Sequence, residues 1–189
     1  MRQFVDFAYG NRRKDKSKVL EIMDAINSEY DPAKDRYKKF RETLEAYEKG
    51  NLSDAEFLSL YSRVSSRKSE AFKIMAKNYM EMKEDNGLSW DGFTRVDVEF
   101  SGLFVQVTWS LHTLTANSYR IVGINFGKDP YPKDKERAVL TLLQMAVPES
   151  YGVGIMNLQA STLVVKTRVD DLEKKFLDDR AKKFLDLAK

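Results

Sequence analysis

The stretch Thr94-Arg95-Val96-Asp97-Val98-Glu99-Phe100 alternates between apolar or hydroxyl side chains and charged ones. A period of two is the mark of a strand with one face buried. Ser101-Gly102 then supplies a two-residue hairpin turn, and Leu103, Val105, Val107 and Trp109 form the inner face of a second strand running to about Leu111. Thr115-Ala116-Asn117-Ser118 turns the chain once more, and residues 119–126 read as a third strand. Three strands joined by short turns predict an antiparallel meander.

Downstream, residues 127–133 read as a loop, with Asp134 placed to cap a helix over Ala138, Val139, Leu142, Leu143 and Met145 that stops by Pro148. Tyr151-Gly152-Val153-Gly154 reads as a turn-rich connection to a fourth strand at about residues 161–166. Asp170 and Glu173 cap a final amphipathic helix through Leu172, Phe176, Leu177, Phe184 and Leu185.

Upstream, the periodicity changes to that of helices. Ser17 caps a first helix carrying Val19, Leu20, Met23, Ile26 and Tyr30, and Asp31-Pro32 restarts the chain. The second helix presents Tyr37, Phe40, Leu44 and Tyr47 and stops at Gly50-Asn51. Ser53 and Glu56 match a capping box, flanked by the Leu52–Phe57 staple. The third helix begins there, with Phe57, Tyr61, Val64, Phe72, Met75, Tyr79 and Met82 on one side. It reads as one helix over about 54–84, with a break at Ser65-Ser66 as the alternative. The expected fold is thus α+β: a helical region at 1–87, then a four-stranded, mainly antiparallel sheet with two helices at 88–189, in the order β-β-β-α-β-α. The two regions are expected to fit together as one unit.

Composition removes several chemistries. The chain of 189 residues has no cysteine and one histidine, which excludes disulfides, thiolate metal sites and a thiol nucleophile. Its 32% charged residues nearly cancel, leaving +3, so bulk charge does not drive nucleic-acid binding. The N-terminus places Asp6 where the apolar core of a signal would run, and no apolar run approaches the roughly 18 residues of a membrane span. The expected location is cytoplasmic, with no membrane partner and no cofactor.

The order of helix, three meander strands, helix and strand resembles the nuclease core written PD-(D/E)xK. That resemblance implies an aspartate near the end of one strand and a Glu-x-Lys on the next, to hold a divalent metal and orient water. The third strand, Tyr119-Arg-Ile-Val-Gly-Ile-Asn-Phe126, has no acidic residue. Asp97 and Glu99, about 7 Å apart on one strand face, are the remaining carboxylates for a divergent site. His112 is the natural proton carrier near neutral pH, but sequence assigns it no partner, and it falls on the face opposite Leu103, Val105 and Val107. The 127–133 loop lacks a Walker pattern, and Tyr151-Gly-Val-Gly154 is too short for a dinucleotide fingerprint.

Basic side chains gather in three places: Arg12, Arg13, Lys14, Lys16 and Lys18; Arg36, Lys38, Lys39 and Arg41; and Arg63, Arg67, Lys73 and Lys77. Aligned, they would meet phosphate; neutralised by acidic neighbours, they are ordinary helix surface. The leading expectation is a non-catalytic binding or assembly protein that meets a protein partner, or its own copy, through the helical half. Nucleic-acid binding through the basic groups and a divergent metal-dependent nuclease are the alternatives.

Overall fold

A computed structural model describes residues 1–28, 35–115, 118–166 and 171–189. Among them are seven α-helices and five strands: α1 (Arg2–Ala8), α2 (Asp15–Asn27), α3 (Lys38–Glu48), α4 (Asp54–Leu58), α5 (Ser66–Asp85), β1 (Ser89–Phe100), β2 (Leu103–Thr115), β3 (Ser118–Asn125), α6 (Lys133–Met145), β4 (Gly152–Asn157), β5 (Thr162–Lys166) and α7 (Asp171–Ala188). Short 3-10 turns occupy Arg12–Lys14 and Ser59–Arg63. The fold is α+β, with one mixed sheet in the order β1-β2-β3-β4-β5.

The meander forms as its alternation requires. Phe100 faces Leu103 across a turn in which Ser101 (φ 49°) and Gly102 (φ 92°) are both left-handed, the geometry that suits strand twist. After β3 the chain crosses through α6 and returns as β4, parallel to β3 with Ile121 opposite Val153. Here the reading of 151–154 as a turn is corrected: β4 is a fifth strand, and all six of its residues are buried. A strand covered on both faces shows no alternation, so its sequence resembles a loop with glycines. Those glycines serve close approach: a Cβ on Gly154 would lie 3.2 Å from the Val164 carbonyl oxygen.

Helices cover the sheet on both sides. Ile121 and Val122 are successive residues of β3, and so point to opposite faces. Ile121 joins a core with α1, α2, α6 and α7, whereas Val122 joins a second core with α3, α4 and α5. The first core takes Phe4, Val5 and Phe7 from α1, a helix absent from the sequence expectation. The N-terminal helices are therefore split between the two faces.

Ser17 does not cap α2. The helix starts two residues earlier, and the Ser17 hydroxyl donates back to the Lys14 carbonyl at 2.9 Å. Val19 and Ile22 are its buried apolar residues, while Leu20 and Ile26 lie open. Tyr30 and the Asp31-Pro32 restart fall outside the described residues. The capping box is present as expected, with Ser53 and Glu56 bonding reciprocally.

The single long helix is not formed; the break near the serines is. Ser59 and Ser62 hydroxyls donate to the carbonyls three residues back, tightening the chain to a 3-10 turn. Val64 and Ser65 are extended, and α5 begins at Ser66. Asp134 lies in the first turn of α6, with Pro132 at the cap position. Asp170 lies outside the described residues, and Glu173 is no cap: it is buried, accepting from the Tyr9 hydroxyl and pairing with Arg137 at 3.3 Å.

Candidate interaction surface

Most of the aromatic and methionine stripe of residues 57–82 is spent inside the molecule, with Tyr61 left exposed. Phe57, Phe72, Met75 and Tyr79 are each fully buried in the second core, and Met82 nearly so. Phe57 stacks on Tyr47 with centroids 4.4 Å apart, and Phe40 meets Phe72 edge-on at 5.5 Å. Glu48 locks the buried end of α5, accepting from the Tyr79 hydroxyl at 2.7 Å and from Lys83 at 2.6 Å. Burial and the Glu48 carboxylate both push the Tyr79 phenol up, out of the physiological range.

That anchoring leaves the next face of α5 open. A groove of about 500 Å³ runs between the 3-10 turn and α5, lined by Leu58, Tyr61, Lys73, Lys77, Met80, Glu81 and Glu84. Leu58 and Tyr61 are each 38% exposed and stand side by side at the groove. Residues 73, 77, 80, 81 and 84 recur at helical spacing, so the α5 wall extends roughly 16 Å, about three turns. Its charge is polarised along that length: Lys73 and Lys77 precede Met80, and Glu81 and Glu84 follow it. The Lys73 ammonium lies 5.5 Å from the Tyr61 ring centroid, and Lys77 reaches Glu81 at 3.6 Å.

The groove residues Leu58, Met80, Glu81 and Glu84 were not singled out by sequence reasoning. Leu58 precedes the break that re-aims α5, and without that break the groove has no second wall. Exposed apolar residues flanking a core stripe were the only available signal.

The first basic cluster is separated from the other two. Arg12, Arg13, Lys14, Lys16 and Lys18 belong to the layer of α2, across the sheet from Lys38, Lys39, Lys73 and Lys77. Several are neutralised locally: Lys18 by Glu21 at 2.8 Å, Lys38 by Glu42 at 3.7 Å, and Arg41 by Asp35. Arg36 lies 5.6 Å from the Tyr37 ring centroid. Arg63 ends the 3-10 turn and Arg67 lies in the first turn of α5.

Asp97 and Glu99 stand exposed on β1, an edge strand, in the open rather than in a cleft. His112 lies opposite Ser89, eight residues back along β1 from Asp97, which at strand rise is roughly 25 Å. Its expected face is corrected. Trp109 belongs to the first core and Leu111 to the second, so the alternation of β2 slips near Ser110, opposite the irregular stretch between Trp90 and Thr94. His112 consequently shares a face with its partner Ile121 and stacks on Tyr119 at 5.3 Å, its Nδ1 enclosed with no hydrogen-bond partner among the described residues. Among the described residues no three His, Asp or Glu side chains converge as a metal-ion site. No described helix is long and apolar enough to cross a membrane.

No protein-family model matches the chain, and no curated protein matches it. Among solved structures it is similar to the crystal structure of SSO0001, at 10% identity over 92% of this chain and 85% of that one, with a TM-score of 0.41.

Proposed function

We propose that the protein is a non-catalytic binding protein whose groove between the 3-10 turn and α5 receives an amphipathic helix of a partner protein. The observation that carries this reading is the combination of exposed Leu58 and Tyr61 and half-buried Met80 with a charge gradient along about three helical turns. Helix-in-groove recognition uses apolar anchors at i, i+3 or i+4 and i+7, which this length accommodates. Charge complementarity assigns the occupant an acidic end over Lys73 and Lys77 and a basic end over Glu81 and Glu84. The opposite face of α5 is fixed in the core by Phe72, Met75 and Tyr79, so the groove wall is held in place before binding.

Selection of displayed amphipathic helical peptides, about four turns long, against the full chain tests this. Enriched peptides are expected to carry that charge order and to lose at least about tenfold in affinity for Met80→Glu, worth roughly 1.4 kcal/mol. Lys182→Glu, on α7 in the opposite layer, should leave affinity unchanged. No enrichment, or equal binding to the Met80 variant, rejects the groove.

A second reading rests on Arg12, Arg13, Lys14 and Lys16. All four are exposed, and none forms an ion pair among the described residues. Such a cluster favours phosphate contact. Titration of duplex DNA should then show affinity falling with salt at a log–log slope of about −0.9 per phosphate neutralised. Absence of binding at low salt rejects it.

A further inference from the structure

The outer edge of β1 is left without a neighbouring strand among the described residues. In the Phe100–Leu103 turn the carbonyl of Phe100 faces the amide of Leu103, as a two-residue hairpin requires. Antiparallel pairs alternate between bonded and non-bonded, so Phe100, Val98, Val96 and Thr94 direct their main-chain groups to β2. Arg95, Asp97 and Glu99 must then turn theirs outward, where no strand lies beyond β1 among the described residues. Their side chains are exposed, and none of the three makes an ion pair among the described residues.

Edge strands are usually blunted by lysine, proline, shortness or a bulge. β5 is short, at five residues. β1 has twelve, with neither lysine nor proline, and its irregularity is confined to Trp90–Thr94. From Thr94 to Phe100 the strand is regular, and only the charges of Arg95, Asp97 and Glu99 guard its edge. Its charges also have an order that a second copy would satisfy.

We propose that two copies of this chain associate by antiparallel pairing of β1 with β1 about a two-fold axis through Val96. In that register Arg95 faces Asp97 of the other copy, twice by symmetry, and Val96 faces Val96. The outward main-chain groups of residues 95 and 97 form four hydrogen bonds across the axis. The neighbouring in-phase register, centred on Asp97, sets two aspartates against each other and is disfavoured. The result is a ten-stranded sheet continuous through both copies, with an isologous contact. A contact of this kind belongs to the small, transient class below about 1,200 Å².

The axis position is a non-bonded pair, where Cα atoms lie about 4.5 Å apart, inside the range a disulfide bridges. The chain has no cysteine of its own, so Val96→Cys introduces a single reporter. Mild oxidation of the full-length Val96→Cys chain is expected to give a covalent dimer. Glu99→Cys, whose two copies stand roughly 20 Å apart in this register, should not cross-link. Sedimentation of the unmodified chain, up to about 1 mM so that even a Kd of that order populates dimer, should show mass rising with concentration. Arg95→Asp alone and Asp97→Arg alone each bring like charges together and should weaken association at least about tenfold. The double exchange restores opposite charges and should recover it. Monomer mass at every concentration, equal cross-linking of both cysteine variants, or no recovery in the double exchange overturns the proposal.

Discussion

Replacing Arg180 with methionine should be among the most damaging substitutions in the molecule, for reasons visible at one buried clasp. Arg180 on α7 donates to both carboxylate oxygens of Asp15 on α2, at 3.0 and 2.9 Å, and to the Phe7 carbonyl at 2.9 Å. Both charged side chains are about 5% exposed, and the guanidinium lies over the Phe7 ring at 4.3 Å. Removing one member of such a pair strands the other in a poorly solvated place, at about 3–5 kcal/mol. Lys183 remains 3.1 Å from Asp15, which places the loss near the lower end, about 3 kcal/mol. For a chain of this size that corresponds to a fall in Tm of roughly 6–12 °C.

Adding Asp15→Leu to Arg180→Met removes both charges and should recover most of the loss. The clasp also has a pH signature. Hydrogen bonds from Arg180 hold the Asp15 carboxyl below its ordinary 3.8, against the upward push of burial. A depressed carboxylate stabilises the fold above its unfolded value, and this is lost as pH falls through the folded one. The stability gap between the natural chain and Asp15→Asn should therefore close below about pH 4. Urea unfolding across pH measures both effects. A loss under about 1 kcal/mol for Arg180→Met, or a double variant as unstable as the single, would refute the reasoning.

Three further outcomes follow from the packing. Gly154→Val should destabilise by about 1–3 kcal/mol through overpacking against Val122 and the Val164 carbonyl, read as a lowered urea midpoint. Ser53→Ala removes one half of the capping box and should cost about 0.5–2 kcal/mol by the same assay. In spectrophotometric titration Tyr47, pushed up to about 12 by burial and then by Asp54, should ionise late, and Asp54→Asn should bring it down.

Local signals in the sequence carried the meander and the capping box, because Ser101-Gly102 and Ser53–Glu56 act through their own neighbours. The expectation failed where distant packing decides. β4 lies buried on both faces, so its glycines mimic a turn. The apolar phase of 57–82 continues across Ser65, yet local hydroxyl bonds at Ser59 and Ser62 tighten the chain before it. α1 went unread since seven residues are too few for periodicity to stand out. The groove arises only from that break, while Asp97 and Glu99, legible as a pair, gain meaning from their place on a sheet edge.

Hydrogen exchange of the full chain with and without a selected amphipathic peptide tests the groove most directly. Protection should concentrate in residues 58–61 and 73–84, leaving α7 and the β1 edge unchanged. Protection confined to α2 or to the sheet, or none at saturating peptide, would contradict a helix-binding role for this surface.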